Sequence, residues 1–187
     1  MNLPNKLTVC RIILAPVFLF LFCAENIPHN FLLALIIFIV ASVTDFADGR
    51  IARKNNIVTD FGKIADPIAD KILTTAVLLC FISIDLCSIW VILIILTREF
   101  TISAIRITAA SHGIIIPANI YGKIKTISQM IVSIVILTAI VLSNENIYIV
   151  PYLNVISSVL LWITALITAI SGIVYIKDSM ELIDFKN

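Results

Sequence analysis

"FLLALIIFIVASVTDFADGRIARK", residues 31–54, decides the fold. Fourteen apolar or small residues lead directly into Asp45, Asp48, Arg50, Arg53 and Lys54. A helix of this length matches the thickness of a bilayer. The stretch therefore reads as a membrane-crossing helix that turns ionic at one end, and ionisable groups placed inside a membrane span mark function.

The rest of the chain agrees. Of its 187 residues 60% are hydrophobic and 13% charged, against roughly one quarter charged in a soluble domain. Bilayer lipid accepts apolar side chains on every outward face; water does not. Six runs approach the length of a span: Leu7–Ala24, Phe31–Arg53, Phe61–Ile84, Ser88–Ser111, Tyr121–Asn144 and Pro151–Ile176. Breaker-rich connections such as "ENIPHN" and "HGIIIPAN" separate them. The expected fold is all-α and integral to the membrane, with six transmembrane helices in one bundle around a cytoplasm-facing polar cavity. The first run lacks a small-residue cleavage site and five further runs follow it, which argues against a secretion signal.

Charge sets the orientation. With six crossings the termini and the second and fourth connections share a side, and all 13 Lys and Arg residues fall there. By the positive-inside rule that side is the cytoplasm. The four cysteines form no C-x-x-C pair and read as apolar fillers. His29 and His112 fall in loops on opposite sides, which disfavours a histidine metal site. Phe18, Phe20 and Phe22 read as lipid-facing or packing residues. Pro67 either kinks the third helix or marks its first turn.

Five aspartates lie between residues 45 and 70. At about 100° per residue, Asp45, Asp48, Gly49 and Ala52 share roughly a 100° arc of one helix, and Gly62, Asp66 and Asp70 form a second row on the next. The short connection 54–60 makes these helices antiparallel neighbours, so two carboxylate pairs face each other. Four carboxylates in one partly buried place either protonate or recruit cations. Oxygen-only donors favour Mg²⁺ or Mn²⁺ over zinc, and two such ions suit phosphoryl-type transfer. Gly49 and Gly62 let an anionic ligand approach the backbone, and Arg53 offers a forked donor.

These residues resemble a family signature. Asp45-x-x-Asp48-Gly49-x-x-Ala52-Arg53, eight residues, then Gly62-x-x-x-Asp66-x-x-x-Asp70 matches the D-x2-D-G-x2-A-R-x8-G-x3-D-x3-D pattern of the CDP-alcohol phosphatidyltransferases at all eight fixed positions. The resemblance implies one such domain over residues 1–187, six spans, a homodimer, and a site facing the cytoplasm of a bacterial inner membrane. It implies that Asp45, Asp48, Asp66 and Asp70 bind two Mg²⁺ or Mn²⁺ ions, with Asp70 also the base. Gly49, Ala52, Arg53 and Gly62 would meet the CDP-diacylglycerol donor. Asn5 and Thr8 either touch the nucleotide as well or simply start the first helix.

"NLPNKLTVCRIILAPVF", "TREFTISAIRITAASHG" and "YGKIKTISQMI" are similar to those members of the family whose acceptor is glycerol 3-phosphate. Arg98, Arg106, Lys123 and Lys125 supply more positive charge than a neutral acceptor needs, with Glu99 orienting one of the arginines. Positive-inside topology alone is the rival explanation of these four cations. Alternative acceptors within the family are those of phosphatidylinositol-phosphate and cardiolipin synthesis. An ion-coupled transporter would show repeats and midplane helix breaks, which this sequence lacks. Its partners are membrane lipids and the two substrates; nothing suggests nucleic acid.

Overall fold

The computed structural model describes residues 3–54, 60–111, 113, 120–145 and 150–182, and the side chains of most of them; those of 3–4, 45–54, 60–64, 66, 144–145, 150–151 and 181–182 are outside the description. Six helices follow one another: α1 Leu3–Cys23, α2 Asn30–Lys54, α3 Asp60–Ser83, α4 Ile89–Ser111, α5 Ile120–Glu145 and α6 Val150–Leu182. Each coincides with one of the six apolar runs. The largest departure is α6, which continues past Ile176 through Lys177 and Asp178, because loss of hydropathy ends a membrane span without ending a helix. Pro67 lies in the interior of α3 and not in its first turn.

Among the described residues, α1, α5 and α6 are long and apolar enough to cross a membrane, and the described apolar part of α2 is shorter. The reason α4 fails is instructive: any stretch of it near span length contains Arg98, Glu99 and Arg106. Large apolar side chains such as Ile13, Phe20, Ile131, Leu166 and Ile173 are exposed along α1, α5 and α6. Water would not tolerate so continuous an apolar surface, and lipid does. Many hydroxyls bond within their own helices, as where Thr44 Oγ1 donates to Val40 O, Thr164 Oγ1 to Leu160 O and Ser179 Oγ to Tyr175 O.

The chain forms two compact units, Met1–Leu86 with Ser133–Asn154, and Cys87–Val132 with Val155–Asn187. In the first, α1 packs along both α2 and α3, while α2 and α3 touch each other only slightly among the described residues. The buried row of α1 runs Thr8, Arg11, Ala15, Phe18 and Phe22, at spacings of three and four. Phe18 meets Phe38 of α2 with ring centroids 5.7 Å apart, and Phe22 meets Phe31 at 5.0 Å. As the α1 number rises the α2 number falls, so the two helices are antiparallel. Phe18 and Phe22 thus pack, whereas Phe20 is 65% exposed. Ala34 and Ala41 on α2, and Ala65, Ala69 and Ala76 on α3, are buried opposite. Apolar burial gives little drive to association within lipid, so small residues that permit close van der Waals contact take over that role.

In the second unit, Arg98 of α4 reaches Ser171 of α6 and Arg106 reaches Tyr175. Both numbers rise together, so α4 and α6 run in the same direction. The buried row of α6 is rich in small hydroxyls: Ser157, Thr164, Thr168, Ser171 and Ser179. Among the described residues, two non-glycines adopt positive φ, His29 at 55° and Asp85 at 58°. Asp85 follows the end of α3, where Leu86 N donates to Phe81 O, the bond pattern of a Schellman stop with Asp85 in the left-handed position.

Candidate active site

The buried face of α2 is defined by Ala34, Leu35, Phe38, Ala41 and Ser42. Continued along the same helix at about 100° per residue, that face meets Asp45, Asp48, Gly49, Ala52 and Arg53. Leu73, Ala69 and Val77 define the buried face of α3, and its continuation towards the start of the helix meets Asp70, Asp66 and Gly62. All eight signature positions therefore occupy the registers that, a few turns away, pack against α1. The backbone is helical through both segments. Of the signature side chains, only that of Asp70 is described; it is half-buried, and the backbone carbonyl of Asp70 accepts from Thr74 Oγ1 at 2.9 Å.

At this end of α1 lies Arg11, with no exposed surface at all. It precedes Phe18 by seven residues, and Asp45 follows Phe38 by seven, so the Phe18–Phe38 contact places Arg11 and Asp45 at one level on facing helices. A buried cation is stable only with negative charge nearby. Asn5 and Thr8, at the start of α1, are buried in the same unit. Arg11 was legible in the sequence only as one of thirteen cations. Its spacing from Ala15, Phe18 and Phe22 was the available signal.

As a seat for a metal, the acid row offers carboxylate oxygens alone, which fits hard divalent cations. Among the described residues no group of three His, Cys, Asp or Glu side chains forms a competing cluster.

The second unit carries the other predicted residues. Glu99 Oε1 accepts from Arg98 Nη1 at 2.9 Å and from Lys125 Nζ at 2.6 Å. Arg98 Nη2 donates to Ser171 Oγ at 2.8 Å. Lys125 is only 3% exposed, and Gln129, one turn further along α5, is buried as well. Arg106 lies about two turns beyond Arg98, its Nε donating to Tyr175 Oη at 3.0 Å while the guanidinium sits 5.3 Å from the centre of that ring. Lys123 is exposed. The structure thus joins Arg98 and Lys125 through one carboxylate, sets Arg106 on an aromatic platform of its own, and leaves Lys123 on the surface. Among the described residues these two cations share one carboxylate, which leaves a positive charge that an anionic ligand would neutralise. Glu99 bridges both cations where the sequence suggested it would orient a single arginine. Ser171 and Gly172 on α6 entered no sequence argument, because only the fold brings them to Arg98.

Comparison with known proteins matches this picture. The family model for CDP-alcohol phosphatidyltransferase matches residues 1–170. The CDP-diacylglycerol–glycerol-3-phosphate 3-phosphatidyltransferase of Bacillus subtilis is 37% identical, over 100% of this chain and 99% of its own. The protein of the same name from Rickettsia typhi is 41% identical, over 94% and 96%. With a family match across nearly its whole length and relatives of this similarity covering it end to end, the chain belongs to the CDP-alcohol phosphatidyltransferase family.

Proposed function

We propose that this protein transfers the phosphatidyl group of CDP-diacylglycerol to the 1-hydroxyl of sn-glycerol 3-phosphate, giving phosphatidylglycerophosphate and CMP in phospholipid biosynthesis. One observation carries the reading: a complete eight-position signature lies on the packed registers of α2 and α3, in a chain whose full-length relatives bear the name of this reaction.

Asp45, Asp48, Asp66 and Asp70 would hold two Mg²⁺ or Mn²⁺ ions, whose role when bound is to neutralise the pyrophosphate and stabilise the departing CMP. Gly49 and Gly62 leave room beside the helices for the donor's phosphates, and Arg53 supplies a forked donor to them. Ala52 keeps that face low, and Asn5 and Thr8 border the nucleotide from α1. Arg98 and Lys125 bind the phosphate of the acceptor, with Arg106 and Lys123 adding to the local positive potential. Asp70 accepts the proton of the 1-hydroxyl as its oxygen attacks the lipid-side phosphorus; the bond to the CMP oxygen breaks, and CMP leaves with that electron pair.

In the same reading, all six helices cross a bacterial inner membrane as one domain, with the termini and the acid row on the cytoplasmic side, and the protein works as a homodimer. Parallel α4 and α6 support alternate crossings, since even-numbered helices must run the same way. Within the second unit, exposed Trp90 near the start of α4 and exposed Tyr121 near the start of α5 are aromatic residues of the kind that sit at membrane interfaces.

The test is an acceptor panel. Purified protein in detergent with CDP-diacylglycerol and Mg²⁺ or Mn²⁺ should release CMP with glycerol 3-phosphate, and not with serine, inositol phosphate or phosphatidylglycerol. Turnover with one of the latter and none with glycerol 3-phosphate would reassign the acceptor.

A further inference from the structure

Gly172 stands in the interior of α6, where glycine weakens a helix relative to alanine. Glycines in membrane helices commonly admit a neighbouring backbone. This one admits a side-chain stem. A Cβ built on Gly172 would lie 3.7 Å from Cβ of Arg98, an ordinary contact, but only 2.9 Å from its Cγ, closer than carbon atoms pack. The atom that must yield is near the root of the arginine, so its whole side chain has to shift. The preceding residue, Ser171, is 1% exposed and receives Arg98 Nη2 at 2.8 Å. Consecutive residues of α6 thus seat both ends of the arginine: Gly172 gives the stem its space, and Ser171 holds the head.

The seating extends further. Arg98 Nη1 and Lys125 Nζ share Glu99 Oε1, so a displaced guanidinium would also disturb the carboxylate that fixes Lys125. Beside Arg98 a cleft of about 380 Å³ is lined by Thr97, Thr101, Ile102, Gly172 and Ile173. It gives a displaced arginine somewhere to move.

We propose that Gly172 and Ser171 are positioning residues that set acceptor affinity by seating Arg98 to receive a phosphate monoester. The inference rests on the reading of Arg98 as an acceptor-binding residue, and a double-variant cycle separates the two. Steady-state CMP release is measured against each substrate for Gly172→Ala, Ser171→Ala, Ser171→Thr, Arg98→Ala and Arg98→Ala/Gly172→Ala, each shown to be monodisperse in detergent.

Gly172→Ala and Ser171→Ala should each raise the KM for glycerol 3-phosphate by about tenfold, the scale of one weakened charge-assisted hydrogen bond. The KM for CDP-diacylglycerol should stay within about twofold. Ser171→Thr, which keeps the hydroxyl, should retain most of the acceptor affinity. In the Arg98→Ala background the obstructing Cγ is gone, so adding Gly172→Ala should change nothing further. A normal acceptor KM in both single α6 variants, an equal rise in both substrates' KM, or independent multiplication of the Gly172 and Arg98 effects would overturn the inference while sparing the role of Arg98. A normal acceptor KM in Arg98→Ala would overturn that role and the inference with it. Arg53→Ala is the control for the opposite pattern, weakening the donor and not the acceptor.

Discussion

Asp45→Asn, Asp48→Asn and Asp66→Asn should each leave a folded, detergent-soluble protein that transfers almost nothing. Asparagine keeps the size and one oxygen of aspartate and loses the negative charge that holds a hard dication. Losing an outer partner of a metal ligand already costs about 10–100-fold in other sites. Losing a ligand's charge should cost more, about a thousandfold or beyond. The helices should persist, because the signature positions continue registers whose packing is provided further along by Phe38, Leu73 and the alanines around them. Far-ultraviolet circular dichroism and gel filtration verify the fold, and CMP release gives the rate. A rate within tenfold of wild type for all three variants would remove the acid row from the chemistry.

Asp70→Asn should fail in another way. If Asp70 is ligand and proton acceptor together, excess metal can repair the first loss but not the second. Its turnover should fall by about 10²–10⁴, the usual contribution of a positioned general base, and raising Mg²⁺ or Mn²⁺ should not restore it. Donor affinity should fall much less than turnover. Full rescue by added metal would leave Asp70 as a ligand only and assign the proton to another group or to water.

What the sequence could reveal about this molecule follows from the solvent it inhabits. The six helices were legible because span length and loop chemistry are fixed by the bilayer and by the residues that break helices. The seams between helices were not. A helix in water shows its buried face as an apolar stripe, whereas α1 is apolar nearly all round, and nothing in its pattern separates buried Phe18 from exposed Phe20. Only polar residues out of place give a seam away, as Thr8 and Arg11 do on α1 and the hydroxyl row does on α6.

The candidate residues divide along the same line. The acidic ones could be read directly, since the signature is local: two helical segments with one short connection carry every fixed position. The cationic ones depend on contacts between residues far apart in the chain, Glu99 with Lys125 and Arg98 with Ser171. Arg98, Arg106, Lys123 and Lys125 looked alike in the sequence, since the positive-inside rule alone would account for all four. Packing distinguishes them: Arg98 and Lys125 are drawn into a shared buried network, Arg106 onto Tyr175, and Lys123 to the surface. Glycine 172 shows the same limit, because only the approach of α4 reveals why α6 tolerates it.

The central claim is that the acid rows of α2 and α3 hold two divalent cations that make this transfer possible. Its most direct test is to strip purified protein with EDTA, remove the chelator, and titrate Mn²⁺ while following bound metal by electron paramagnetic resonance and CMP release from CDP-diacylglycerol and glycerol 3-phosphate. The account predicts no turnover in the stripped protein, recovery as two ions bind per chain, and no such binding in Asp45→Asn/Asp66→Asn. Undiminished CMP release by the wild-type protein in excess EDTA would contradict it.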